Sequence, residues 1–154
     1  MKIIKPILIA LIAVLAIGCS KDEGCGCTII SLAANISLKN NAGEDLLNPD
    51  NPNSYKKRDI KTYYLIDGEQ TRAGQYDNFY EDEDGIFRFG VMVNYEGSDE
   101  YPITYIDWDE TDRDTIKSEI YRTNNQTRAI KFWYNRELVW DAENGGPPIF
   151  TIVK

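Results

Sequence analysis

Alternation between apolar and polar residues is the dominant pattern of the chain from residue 30 onward. Every even-numbered position from residue 30 to residue 38 is apolar, namely Ile30, Leu32, Ala34, Ile36 and Leu38. A side-chain period of two is typical of a β-strand with one buried face. Similar β-rich segments predict further strands at residues 60–66, 87–95, 101–108, 115–122, 128–134, 137–141 and 149–153.

Turn-forming residues separate these predicted strands. Residues 40–59 form a long connection rich in Asn, Pro and Asp, in which Leu46 and Leu47 are expected to contact the core. Residues 70–84 are polar and are predicted to form a loop. Asn135 and Arg136 stand where a two-residue hairpin would bend, although Arg136 is unusual at a position where φ must be positive.

The pattern predicts an all-β fold. No segment carries a convincing apolar stripe of period 3.6, so no amphipathic helix is expected. Seven or eight short strands with frequent turns favour an antiparallel β-sandwich of Ig-like or transthyretin-like topology. A small β-barrel is the alternative. The pattern leaves the strand order open.

The first eighteen residues have the organisation of a signal peptide. Lys2 and Lys5 precede Ile7–Ile17, a run of 11 residues without a charged or polar side chain. As a helix this run would reach about 16 Å, roughly half of a hydrocarbon core of about 30 Å. It is too short for a stable membrane span, so we expect residues 1–18 to be removed.

The residues around Cys19 indicate how the mature chain begins. Ala16-Ile17-Gly18-Cys19 resembles a bacterial lipobox, which implies that Cys19 is lipidated and becomes the mature N-terminus. The following Ser20-Lys21-Asp22-Glu23 resembles the export signal of lipoproteins displayed on the outer membrane of Gram-negative bacteria. The alternatives are a plain secreted protein and a charged tether without an export role.

Three later segments extend this resemblance, namely Asn41–Pro49, Asp114–Lys117 and Lys131–Asn135. Behind a lipobox, they are similar to segments of small uncharacterised surface lipoproteins from gut-type Gram-negative bacteria. That resemblance implies an outer-membrane location at the cell surface and carries no catalytic residues. It divides the chain into a signal peptide (1–18), a lipidated flexible tether (19–28) and a single β-sandwich domain (29–154).

Charge narrows the range of partners. The 154-residue chain has a net charge of −8, and loss of residues 1–18 leaves 15 basic and 25 acidic residues, a net charge of −10. Phosphate backbones and anionic head groups repel such a chain, so nucleic acid is not expected as a partner. The expected membrane contact is the N-terminal lipid alone, with an envelope protein or a glycan as a further partner. The oligomeric state is left open.

Cysteine and histidine content limits the chemistry. With Cys19 lipidated, Cys25 and Cys27 are the remaining cysteines. They would be free thiols in the tether, or form a redox-labile disulfide with each other, or take part in intermolecular or metal chemistry. Histidine is absent, which removes the commonest general base and most zinc sites. We therefore expect a protein that is not an enzyme and has no cofactor. A carboxylate-based hydrolase is the remaining enzymatic alternative.

Two groups of residues are candidates for binding. Four aspartates between two predicted strands would hold calcium if their carboxylates converged, or would form a solvated turn; they are Asp107, Asp109, Asp112 and Asp114. Trp133 falls on the polar side of its strand, where it would stack on a sugar, anchor a protein partner or pack under a loop. Trp140 is expected in the core on the same side as Leu138, and Trp108 fits either environment.

Taken together, these observations predict a non-enzymatic, lipid-anchored β-sandwich that acts as a binding or envelope-interaction module. A surface glycan-binding accessory protein is the alternative.

Overall fold

The structure is a computed structural model, and it describes residues 28–154. The signal peptide, the lipobox with Cys19, and Cys25 and Cys27 lie outside the described residues. The described part is an all-β sandwich without an α-helix, which confirms the predicted fold class. Within residues 28–154, no helix has the length and hydrophobicity to cross a membrane.

Eleven strands and one short 3-10 helix make up the described fold. The strands are β1 (Ile29–Ser31), β2 (Ala33–Lys39), β3 (Lys61–Ile66), β4 (Glu69–Arg72), β5 (Asn78–Glu81), β6 (Phe87–Met92), β7 (Ile103–Asp107), β8 (Arg113–Arg122), β9 (Gln126–Tyr134), β10 (Glu137–Asp141) and β11 (Ile149–Val153), and the 3-10 helix is Ala142–Asn144. The larger sheet has the order β1-β9-β8-β7-β3-β4, with β10 also paired to β9. The smaller sheet has the order β11-β2-β6-β5.

The predicted strand at residues 30–38 is divided between the two sheets. Its first part, β1, pairs in parallel with β9, and its second part, β2, pairs with β6 and β11. Leu32 lies between the two parts and is buried. The β1–β9 and β2–β11 pairs are parallel, and all other pairs between the described strands are antiparallel. Both sheets are therefore mixed, and the expectation of purely antiparallel pairing is wrong. Both parallel pairs join segments that are distant in sequence, as parallel pairing requires.

The prediction of a loop at residues 70–84 is wrong over two segments. The structure forms β4 and β5 there, each at the edge of a sheet. Backbone hydrogen bonds to β3 and β6 hold these strands. β4 is polar and exposed throughout, and in β5 the apolar residues Phe79 and Tyr80 are adjacent, so neither strand shows the apolar alternation by which strands are recognised.

The core lies between the sheets. Trp108 is completely buried there, which settles its environment, and Leu46 and Leu47 attach the long connection to the core as predicted. Trp140 packs on Phe132 with ring centres 5.1 Å apart. Leu138, in contrast, is 52% exposed, because a bulge between residues 138 and 140 changes the register. The expectation that Leu138 and Trp140 share a side is therefore wrong. A chain starting at residue 19 contains both sheets and this whole core.

Candidate ligand-binding site

Strand register brings predicted and unpredicted residues together on the outer face of the larger sheet. Lys117 on β8 pairs with Ile103 on β7 and with Trp133 on β9, so the three form a row across the sheet. Tyr105 and Thr115 form the neighbouring row. The residues that alternate with them along the strands are buried against the smaller sheet, namely Thr104, Ile106, Ile116 and Phe132. Both rows therefore face away from the core.

A cavity of about 530 Å³ lies over these two rows. Its lining consists of Ile103, Tyr105, Thr115, Lys117, Trp133, Asn135 and Arg136. The volume falls in the range of small-ligand sites, about 300 to 1,000 Å³. Trp133 is half-buried and forms part of the wall, so the structure places this sequence candidate in a cavity. We call this feature the Trp133 cavity.

Lys117 is the central cation of the Trp133 cavity. Its Nζ lies 4.3 Å from the ring centre of Trp133 and 4.9 Å from that of Tyr101. The two rings meet edge to face with their centres 5.9 Å apart. In the part of the chain that the structure describes, no carboxylate lies within 4.0 Å of this ammonium. Aromatic faces thus hold the Lys117 charge without neutralising it.

Arg136 brings a second cation to the rim through an unfavourable backbone conformation. Asn135 and Arg136 form the two-residue β9–β10 hairpin with φ values of 47° and 81°. A left-handed conformation costs a residue other than Gly or Asn about 1 kcal/mol. Asn135 is fixed from β8, because its Oδ1 accepts the Thr115 N–H at 2.9 Å and its N–H donates to the Thr115 carbonyl at 2.9 Å. Strain retained at a cavity rim is a feature of functional sites.

Arg113, on the same face, differs from Lys117 because its charge is paired. It lies between the rings of Tyr63 and Tyr105, 5.6 and 5.1 Å from their centres. Its Nε and Nη2 donate to the carboxylate of Asp107 at 2.5 and 2.9 Å. The hydrogen bond with Asp107 raises the pKa of Arg113. Arg113 therefore supports the Tyr105 wall and leaves Lys117 and Arg136 as the cations available to a ligand.

The structure does not bring the four candidate calcium ligands together. Asp107 pairs with Arg113 on the outer face, whereas Asp114 points into the core. Asp109 Oδ1 accepts the backbone N–H groups of Thr111 and Asp112 within the same loop. The hydrogen bond from Thr111 is the main reason why the pKa of Asp109 is lowered. The Lys154 ammonium contacts both Asp112 and Asp114 at 2.6 Å. No group of three or more potential metal-binding side chains occurs within residues 28–154.

Asp114 is the acceptor of a buried network that the sequence did not reveal. Its carboxylate accepts the Trp108 Nε1–H and an Asn135 Nδ2–H, both at 2.6 Å, and the Tyr134 hydroxyl. Burial raises the pKa of Asp114, but the hydrogen bonds from Lys154, Tyr134 and Asn135 outweigh it and hold the pKa below its ordinary value. Burial, followed by the Asp114 charge, raises the pKa of Tyr134. This network connects Lys154, after β11, to the core and supports the hairpin beneath the Trp133 cavity.

Comparisons of the chain with protein-family models, with curated proteins and with solved structures found no match. Interpretation of the Trp133 cavity therefore rests on its own geometry.

Proposed function

We propose that the protein is a lipid-anchored, surface-exposed protein of the outer membrane, a non-enzymatic binding module that takes a negatively charged carbohydrate into the Trp133 cavity. One observation carries the proposal: an indole ring and two cations line one cavity of a strongly acidic chain, and neither cation forms an ion pair with a carboxylate within residues 28–154.

The lining of the cavity suits a sugar. Trp133 and Tyr105 provide ring surfaces against which the C–H groups of a pyranose pack. Thr115 supplies a wall hydroxyl, and hydroxyl groups fix the orientation of a ligand by hydrogen bonding, whereas the Asn135 amide is held by Thr115 and Asp114. This combination of ring surfaces and neutral polar groups favours a carbohydrate over a purely apolar ligand.

The charge at the cavity favours an acidic sugar. Lys117 and Arg136 would donate charge-assisted hydrogen bonds to a uronate carboxylate or a sulfate ester. The field of a cation is also stronger in a cavity with low-dielectric walls than on an open surface. The chain as a whole has a net charge of −8, so most of its surface repels an acidic polymer. The cations of this cavity would attract such a polymer locally.

The sequence around Cys19 supports the proposed location. A cysteine with two or more acyl chains is stably anchored, and residues 19–28 would form the tether between the membrane and β1.

Matched polysaccharide pairs test the proposed ligand. Calorimetry of residues 19–154 with Cys19→Ser would compare polygalacturonate with its methyl ester, and chondroitin sulfate with chondroitin. We expect the acidic member of at least one pair to bind about tenfold more tightly than its neutral or less charged counterpart. Trp133→Leu and Lys117→Gln should each weaken that binding by about tenfold or more.

Two variants control for general effects. Tyr121→Leu removes an exposed aromatic ring at the far end of β8, and Lys61→Gln removes an exposed cation of β3. Both should bind like the parent chain. Equal binding of the two members of every pair would contradict the charge selectivity, and a folded protein that binds no member would overturn the proposed function.

A further inference from the structure

A second cavity, separate from the first, lies against the smaller sheet. It has a volume of about 500 Å³ and lies between the long connection and strands β5 and β6. Its lining consists of Leu47, Pro49, Ser54, Tyr55, Lys56, Lys57, Arg58, Phe79 and Phe87. No residue is shared with the Trp133 cavity. We call this feature the Phe79 groove.

The walls of the Phe79 groove are mainly apolar. The rings of Phe79 and Phe87 lie with their centres 6.3 Å apart, and Leu47 and Pro49 complete the apolar surface. The backbone N–H of Phe87 donates a hydrogen bond to Asp45 Oδ2 at 3.1 Å, which fixes Phe87 to the long connection. Transfer of a hydrocarbon from water into a preformed apolar cavity of this size is favourable.

Three consecutive cations edge the same groove. Lys56, Lys57 and Arg58 are the only run of three basic residues in the 154-residue chain, and all three are exposed. Lys57 Nζ lies 5.9 Å from the ring centre of Phe79, and Lys56 Nζ donates to Ser54 Oγ at 3.1 Å. Within residues 28–154, Arg58 forms one ion pair, with Asp59 at 3.6 Å, and both side chains are exposed. The rim is therefore positively charged in an acidic protein.

An apolar groove with a cationic edge is complementary to an anionic amphiphile, and we propose that the Phe79 groove binds a free fatty acid. The hydrocarbon chain lies against Phe79 and Phe87, and the carboxylate meets the rim of Lys57 and Arg58. Charge complementarity selects the ionised head group, and the apolar walls select for chain length. This binding is independent of the carbohydrate proposed for the Trp133 cavity.

Three probes separate the contributions of the chain and the head group. Residues 19–154 with Cys19→Ser would be titrated calorimetrically with laurate, with dodecanol, which has the same chain without the charge, and with hexanoate, which has the head group on a short chain. We expect laurate to bind one to one and dodecanol to bind about tenfold more weakly. Shortening the acid should weaken binding by about fourfold per methylene, so hexanoate gives no measurable heat.

Charge variants locate the head group. Lys57→Gln combined with Arg58→Gln should weaken laurate binding by about tenfold and leave dodecanol binding unchanged. Arg122→Gln combined with Arg128→Gln makes the same change in net charge at exposed positions of the larger sheet and should leave both affinities unchanged. These substitutions are at exposed positions, so the folded state is retained.

Other outcomes would overturn the inference. The inference is wrong if laurate does not bind, or if Trp133→Leu abolishes its binding. It is also wrong if the Lys57/Arg58 double variant and the Arg122/Arg128 control variant change laurate binding equally. Rim-dependent binding to phosphatidylglycerol vesicles without binding of free laurate would instead identify a membrane-docking surface. Rim-dependent binding of an acidic peptide without laurate binding would identify a protein-docking groove.

Discussion

At the scale of single residues, Asp114 and Lys154 form an ion pair at the edge of the core, 2.6 Å apart, in which the carboxylate is buried. Asp114 lies at an inward-facing position of β8, and the ammonium that compensates it comes from 40 residues later in the chain. The alternation of β8 could have signalled a buried carboxylate, because Asp114 has the same parity as the buried Ile116 and Ser118. Its partner could not have been predicted, since only the pairing of β11 with β2 places Lys154 nearby.

Removal of Lys154 tests this contact. Lys154→Met should lower the free energy of unfolding by about 3 kcal/mol near neutral pH, because it leaves Asp114 buried without its cation. Urea unfolding would measure the change, with Lys61→Met as the exposed control.

The stabilisation from the Asp114–Lys154 contact depends on pH. The pKa of Asp114 is lower in the folded protein than in the unfolded chain, so its stabilisation is present above the unfolded pKa. That stabilisation is lost as pH falls through the folded pKa. The deficit of Lys154→Met should therefore shrink between about pH 7 and about pH 3, as the carboxylate becomes protonated. A deficit of equal size at both ends would mean that Lys154 acts only through packing.

Trp133 shows what residue patterns can and cannot predict about a site. Its position on the polar side of β9 followed from alternation, and the structure places it in a cavity. The contact with Lys117 depends on the β8–β9 register, which a period of two does not fix, because strands can slide past each other in steps of two residues. Tyr101, which precedes β7, and Arg136, in the β9–β10 hairpin, also lie near Trp133 through tertiary structure that alternation does not encode.

At the scale of elements, the β9–β10 hairpin combines a strained turn with the proposed ligand contact of Arg136. The sequence predicted the hairpin and marked Arg136 as the unusual residue, and the structure gives it a φ of 81°. Glycine would adopt this conformation without strain. The strand β4, which the sequence analysis missed, is the opposite case, because its four residues are exposed and its conformation is imposed by pairing with β3.

Two substitutions in this hairpin separate strain from charge. Arg136→Gly should raise the free energy of unfolding by about 0.5–1 kcal/mol and weaken binding of the acidic carbohydrate several-fold. Arg136→Lys keeps both the charge and the strain, so it should leave stability unchanged and retain most of the binding. Thermal unfolding and calorimetry would measure the two properties. A gain in stability for both variants would contradict the assignment of strain to this position.

At the scale of the whole molecule, the all-β class followed from alternation, whereas the arrangement of the sheets did not. The parallel pairs bring residue 29 to residue 126 and residue 149 to residue 35, separations of about 100 residues that local patterns do not encode. The two cavities also depend on this arrangement, because one lies on the outer face of the larger sheet and the other against the smaller sheet.

The lipid anchor is a prediction about the whole molecule. In a Gram-negative host, Cys19→Ala should release the protein from the membrane fraction or leave an unprocessed precursor, while the parent chain stays with the membrane. Intact-mass measurement of the parent should give residues 19–154 plus acyl groups. An unmodified Cys19 in the mature parent would contradict the anchor and the proposed location.

The parallel β1–β9 pair also has a mechanical consequence. A tether would pull on β1 from the side of residue 28, whereas a ligand at Trp133 would pull on β9 from its other end. Because the two strands run in the same direction, this load acts along their axes and shears their hydrogen bonds together instead of unzipping them one by one. If the anchored protein held a cell to a surface glycan in flowing liquid, the force would thus act on the short β1–β9 pair in the direction in which that pair resists best.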